Sequence, residues 1–259
     1  MNCRFTMAAF LLVLITLTGS CVTTRSKEPY KHLKTSIIRF LGPVEKNNSE
    51  KKETSEATIT VPLKVGIAFV PSNDFGDFPE KERMNLMQEI APEFENYKFV
   101  ESIELIPSLY LEKEGGFSNL DRLQELFDIN VIVLLSYDQS QFADSGAWSI
   151  TYWTIVGAYI VKGEKNDTHT LIDASLFHIQ SRKMLFRAAG INHLKSRATP
   201  INFTEQVRKD SLDSYHQARV DLTKNLKEKL YSFRKMIRAS SGAFKLKLKP
   251  GYELEPLKK

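Results

Sequence analysis

The sequence predicts an α/β (α+β) fold: a single mixed β-sheet flanked by helices, in the order β-α-β-α-β-β-β-β-α, with a long C-terminal helix. Three observations point to it. The run Val131 to Tyr137 (VIVLLSY) is apolar but for Ser136, as in a strand buried on both faces. From Leu212 to Ile237 apolar residues recur at steps of three and four, which marks one long amphipathic helix. Between these lie β-prone segments joined by short turns, the pattern of an antiparallel meander.

The first strand spans Val61 to Val70 (VPLKVGIAFV), and Pro71, Ser72, Asn73, Asp74 and Gly76 stop it. Pro79 to Asn96 follows as a helix, with Met84, Met87, Ile90, Ala91 and Phe94 on one stripe. Pro92 lacks an N–H and crowds the preceding turn, so this helix is expected to end or kink near Ala91. Phe99 to Leu105 is the second strand. Gly115-Gly116 then breaks the chain, and Ser118 or Asn119 caps a short helix over Leu120 to Phe127. Val131 to Tyr137 is the third strand.

Trp148 to Val161 (WSITYWTIVGAYIV) is apolar on both alternating faces and reads as a long strand, bent or bulged at Gly157. Its Tyr152, Trp153 and Tyr159 suit core or interface packing. A polar turn over Gly163 to Thr168 leads into the strand Leu171 to Ile179. The loop Gln180 to Lys183 joins that strand to Met184–Ala188 as a hairpin. Asn202 and Glu205 have the spacing of a capping box, which opens the last helix. Its stripe is Leu212, Tyr215, Ala218, Leu222, Leu226, Leu230, Phe233 and Ile237, opposite Arg219, Lys224, Lys227, Lys235 and Arg238.

The flanks have a different character. Residues 1–20 read as an export signal, with Arg4 ahead of the apolar stretch Phe5 to Thr18. Leu17-Thr18-Gly19-Ser20-Cys21 resembles a bacterial lipobox, in which small residues beside a cysteine thiol admit lipid attachment and cleavage. Lipidation is therefore expected at Cys21, and acyl chains anchor at ~0.8 kcal/mol per buried CH₂. Val22 rather than Asp after the cysteine points, by resemblance to enterobacterial lipoproteins, to the outer membrane. Residues 21–58 read as the lipidated N-terminus and a flexible tether, because Glu45 to Thr58 is polar and charged. Within it Thr35 to Pro43 is an apolar island read as a partly ordered loop, with a docking segment or an extra strand as alternatives. The globular domain is expected over 59–239, and 240–259 as a basic tail.

Composition narrows the function. The 259 residues carry 42% hydrophobic and 26% charged side chains, which excludes a collagen, a wholly disordered chain and a multispan membrane protein. A net charge of +5 falls short of a nucleic-acid-binding surface. Both cysteines, Cys3 and Cys21, precede the domain, so it is expected to hold neither a disulfide nor a thiolate metal site. Neither a P-loop nor a G-x-S-x-G elbow occurs. No two of His32, His169, His178, His193 and His216 stand at i, i+4, so no metal site and no cofactor are expected.

The polar run Lys162, Glu164, Lys165, Asn166, Asp167 and His169 is read as a solvated turn that offers an interaction loop. Asp138 at a strand end reads as a turn residue, with a catalytic carboxylate as the sharper alternative, and His178 as a satisfied or surface histidine. Asp173 is expected to pair with Lys162 or Lys165 across the hairpin. The expected function is a non-enzymatic binding or accessory module of the cell envelope. Its partners would be the membrane, through the anchor, and an envelope protein. The alternatives are a self-assembling secretion or envelope-complex component and, third, a periplasmic hydrolase using Asp138 or His169.

Four segments also carry a resemblance: Val65 to Pro71, Phe99 to Ile103, Val133 to Gln139, and above all Thr151 to Thr170 (TYWTIVGAYIVKGEKNDTHT). Through them residues 35–238 resemble the rhombotarget lipoprotein family, bacterial predicted lipoproteins for which the resemblance implies no known activity. The element order is also similar to that of the lipoprotein activators of peptidoglycan synthases and the curli-secretion pore lipoprotein.

Overall fold

The computed structural model describes residues 31–42, 57–71, 78–145, 164–199, 201–239 and 244–253. The expected signal, Cys21, the Trp148–Val161 strand and Lys162 lie outside them. In chain order the elements are β1 (Lys31–Lys34), α1 (Ile37–Leu41), β2 (Ala57–Val61), β3 (Leu63–Phe69), α2 (Glu80–Glu95) and β4 (Val100–Ile106). Then come α3 (Gly116–Phe127), β5 (Val131–Ser145), β6 (Glu164–His178), β7 (Lys183–Ala198), α4 (Phe203–Ala239) and β8 (Phe244–Leu248).

The main sheet runs β4-β3-β5-β6-β7, and β1 adds to β5. β3 pairs in parallel with β4 on one side and β5 on the other, so α2 and α3 serve as crossovers. From β5 onward the sheet is antiparallel, with β6 between β5 and β7. β2 and β8 form a small parallel sheet of their own.

Alternation along the strands assigns the two faces. Val65, Ile67, Val131, Val133, Leu135, Ile172 and Leu176 face a core completed by Leu86, Met87, Ile90 and Phe94 of α2 and Leu222, Leu226, Leu230 and Phe233 of α4. Ala68, Ile132, Leu134 and Phe177 face the opposite core, closed by Phe40 of α1 and by Leu120 and Leu123 of α3.

Several expectations are corrected in detail. α2 continues through Pro92 to Glu95. The buried Phe94 holds the last turn in the core, and the Asn96 N–H reaches the Pro92 carbonyl at 3.3 Å. α3 begins at Gly116, not Leu120. Asn119 does not cap it; its side chain accepts from the Glu112 N–H at 3.0 Å and donates to the Tyr110 carbonyl at 3.2 Å. Asn202 Oδ1 accepts from the Thr199 N–H and hydroxyl, both at 2.8 Å, so it fastens the preceding chain instead of forming the expected capping box.

The flanking segments contribute structure where a tether and a loose tail were expected. β1 pairs with Asp138–Gln141 of β5, and α1 is capped by Ser36, whose hydroxyl accepts from the Arg39 N–H at 3.3 Å. The apolar island thus buries Ile37 and Phe40 in a short helix rather than adding a strand. β8 pairs Phe244 to Leu248 with Ala57 to Val61, and alternating Lys and apolar residues suit it to a strand with one wet face.

One close approach seats the long helix. A Cβ at Gly190 of β7 would lie 1.9 Å from the Ala218 carbonyl oxygen and 2.5 Å from the Leu222 nitrogen, both backbone atoms of α4. Only glycine lets helix and sheet meet there. Gly190→Val is therefore expected to push α4 off β7 and to destabilise the fold by at least the ~1–3 kcal/mol typical of overpacking. Urea unfolding followed by circular dichroism measures this, and an unchanged midpoint would refute the contact.

Candidate functional site

Where β5, β6 and β7 run beyond the parallel half of the sheet, the two faces diverge. Gln139 and Gln141 of β5 and Asn166, Thr168 and Thr170 of β6 are buried against the first half of α4. There the expected stripe loses one member: Leu212 is 55% exposed, and Asp210 and Ser214 are buried alongside Val207, Tyr215 and Ala218.

Gln139 Nε2 donates to Thr170 Oγ1 at 2.9 Å and to the Ser211 carbonyl at 3.0 Å. Gln141 Nε2 donates to the Val207 carbonyl at 2.9 Å. Thr170 and Ser214 hydroxyls meet at 2.7 Å, and Ser214 donates to Asn192 Oδ1 at 2.9 Å. The buried Asp210 carboxylate accepts from Asn166 Nδ2 at 2.6 Å, from Gln206 Nε2 at 2.8 Å and from the Ser196 hydroxyl. Each such charge-assisted bond contributes ~1.5–3 kcal/mol; those from Asn166 and Ser196 tie α4 to the sheet, beside the buried Val207, Tyr215 and Ala218.

The other face of the same strands is open. Asp167 and His169 stand two apart on β6, so both point to it, and the register sets His193 of β7 directly opposite His169. The two imidazoles stack with centroids 4.0 Å apart and planes inclined by 18°. Asp167 Oδ1 lies 3.3 Å from His169 Nε2 and in hydrogen-bond contact with His193 Nε2. One ligand atom from each of the three residues falls within 4.8 Å of the others. The Phe142 ring stands edge-on to His169, at 5.9 Å between centroids. Ile191 on the same face is 64% exposed.

The expected interaction loop is thus divided. Glu164, Lys165, Asn166, Asp167 and His169 belong to β6, paired on both sides, and not to a turn. Of these Asn166 is buried in the seam, while Asp167 and His169 reach the open face. Asp138 is not a strand-end turn residue either; it pairs with Leu171 in mid-β5, and alternation puts it on the open face with Ser140 and Phe142.

Of the two lysines expected to pair with Asp173, Lys162 lies outside the described residues. Lys165 lies on the same strand eight residues away, about 26 Å at strand rise. Arg187 Nε donates to Asp173 at 2.7 Å instead. Burial pushes the Asp173 carboxyl above its usual range, opposed by the Arg187 guanidinium. His178 is a satisfied histidine, in contact with the Ser181 hydroxyl at 2.7 Å.

Sequence reasoning missed His193 as a partner of His169. An i, i+4 histidine spacing marks pairs on a helix and is blind to pairs across strands. The usable signal was the Asp167-Thr168-His169 alternation together with a second polar strand around His193.

No family model matches the chain, and no curated protein matches it. Solved structures do. A neuraminyllactose-binding hemagglutinin homolog from Helicobacter pylori is similar at 9% identity and TM-score 0.38, covering 77% of this chain and 97% of that one. A PelC dodecamer from Paraburkholderia phytofirmans is similar at 8% identity and TM-score 0.31, covering 68% and 93%. The lipoprotein GNA1162 from Neisseria meningitidis is similar at 13% identity and TM-score 0.25, covering 59% and 94%. With identities and scores this low, the functional reading rests on the chain's own residues.

Burial lowers the pKa of His178, favouring the neutral ring, and Nδ1 accepts from the Ser181 N–H at 3.3 Å. The folded chain then holds this proton less readily than the unfolded one. Stability from His178 is complete above the unfolded pKa of ~6.5 and falls as pH drops through that value. Melting temperatures between pH 8 and pH 5 should fall on the acid side, and His178→Gln should flatten that slope. An identical slope in the variant would exclude His178 as its source.

Proposed function

We propose that this chain is a lipid-anchored envelope protein that works as a binding module. The carrying observation is the open face of β5–β7. It is a solvent-facing sheet surface bearing Asp167, His169, His193 and the exposed Ile191, beside helices committed to the other face and the other end of the sheet. A rigid, twisted sheet face with mixed apolar and polar side chains suits recognition of another macromolecule.

The lipobox-like Leu17 to Cys21 and the apolar run before it support attachment through Cys21, and Val22 supports the outer membrane. Supporting binding over hydrolysis, Asp138 stands in mid-β5 and His169 shares the Asp167 carboxylate with His193.

One observation favours a second reading, self-assembly. β5 and β6 remain paired as far as Ser145 and Glu164, so residues 146–163, which include the apolar run Trp148 to Val161, connect the two far strand ends. An apolar connection of that composition suits contact between copies of the chain.

In cells, Cys21→Ser is expected to move the protein from the membrane fraction to the soluble one; continued membrane association would refute the anchor. A photocrosslinking residue at Ile191 is expected to give an adduct with one envelope protein of different mass. Adducts only at multiples of the chain's own mass would favour self-assembly, and none at all would refute the binding face.

A further inference from the structure

We propose that Asp167, His169 and His193 form a binding site for a divalent transition-metal ion, zinc in the first instance, on the open face of the sheet. The proposal does not depend on the anchor or on a protein partner.

Three features carry it. The ligand set is two imidazole nitrogens and one carboxylate oxygen, which suits zinc and its first-row neighbours and not calcium or magnesium. The atoms converge, all within 4.8 Å of one another, with both Nε2 atoms turned to one Asp167 oxygen. In a tetrahedral site with bonds of ~2.0–2.1 Å the ligand atoms stand about 3.3 Å apart. The His169–Asp167 pair already has that separation, at 3.3 Å. The His193–Asp167 contact has to loosen as a cation takes its place, and the two exposed side chains can do so by small rotations.

Third, the backbone beneath the site is fixed. Asn166, Thr168 and Thr170 alternate with Asp167 and His169 along β6, and the first and third are tied to α4 through Asp210 and Ser214. Preorganisation of this kind lowers the cost of assembling a site. Three protein ligands leave further coordination positions, which face solvent and admit water or a donor group from a partner.

Lys195 stands directly opposite Asp167 and is the nearest cation in the register, so it opposes binding. Each imidazole ligates a metal only as the neutral ring, as at any histidine site.

The test is calorimetric titration of zinc into the full chain in detergent at pH 7.5, after removal of metal by a chelator. One zinc per chain is expected. His169→Ala and His193→Ala should each weaken it by at least the roughly 10–100-fold that losing a mere supporting contact costs. His216→Ala, on the outer side of α4, should leave it unchanged. Cobalt replacing zinc should give visible d–d absorption that both site variants lose, while circular dichroism confirms that they fold. Zinc binding unaffected by the double variant, or none at all in the unaltered chain, would overturn the site and leave Asp167 as a hydrogen-bond partner of two histidines.

Discussion

The structure depends on the length of β5. Its first five residues, Val131 to Leu135, are held between β3 and β6. The ten that follow have no β3 beside them, and a strand continuing alone on that edge would leave ladder groups unpaired. β1 supplies the missing pairing along Asp138 to Gln141. That is why a segment so near the polar N-terminal flank folds onto the domain. β6 and β7 then match the extra length residue for residue, and the sheet acquires a second half that the crossover helices α2 and α3 do not cover.

That second half needs its own cover, and α4 supplies it on one face only. Its 37 residues are enough to pack on the apolar half of the sheet and continue over the polar half. Gly190 sets the contact in the middle, where helix and strand backbones nearly touch. Toward the C-terminal side the contact is Leu222, Leu226, Leu230 and Phe233; toward the N-terminal side it becomes Asp210, Ser211 and Ser214. A polar seam is directional where an apolar one is not. It fixes the helix in one register, because a helix slid along its axis would strand Asp210, Gln139 and Asn166 without partners.

The mixed sheet, its flanking helices and the long last helix were legible because apolar periodicity reports burial directly, and burial decides those elements. The polar half was not legible for the same reason. Gln139, Gln141, Asn166, Thr168 and Thr170 look like solvent-facing residues to any hydrophobic pattern, and only the polar positions of α4 make them interior. The site was hidden by a further device. Counting outward without interruption from the His178–Lys183 pair would set His169 opposite Asn192. The register slips at Leu176/Phe177, where Leu185 is the extra residue on β7, and that single-residue bulge brings His193 opposite His169 instead. A one-residue slip exchanges the faces of a strand, so the site exists through an irregularity that composition and spacing do not announce.

The seam and the open face are two sides of one strand, and this couples them. On β6, buried Asn166, Thr168 and Thr170 interleave with Asp167 and His169, so whatever holds the first set positions the second. On β7, Ser196 and Asn192 reach the same helix while His193 points away from it. The clustering of three potential ligands on a sheet face therefore does not require a pocket to orient it. The orienting contacts lie behind the sheet, in the bonds to Asp210 and Ser214, and the face in front is left free for a ligand or partner to approach.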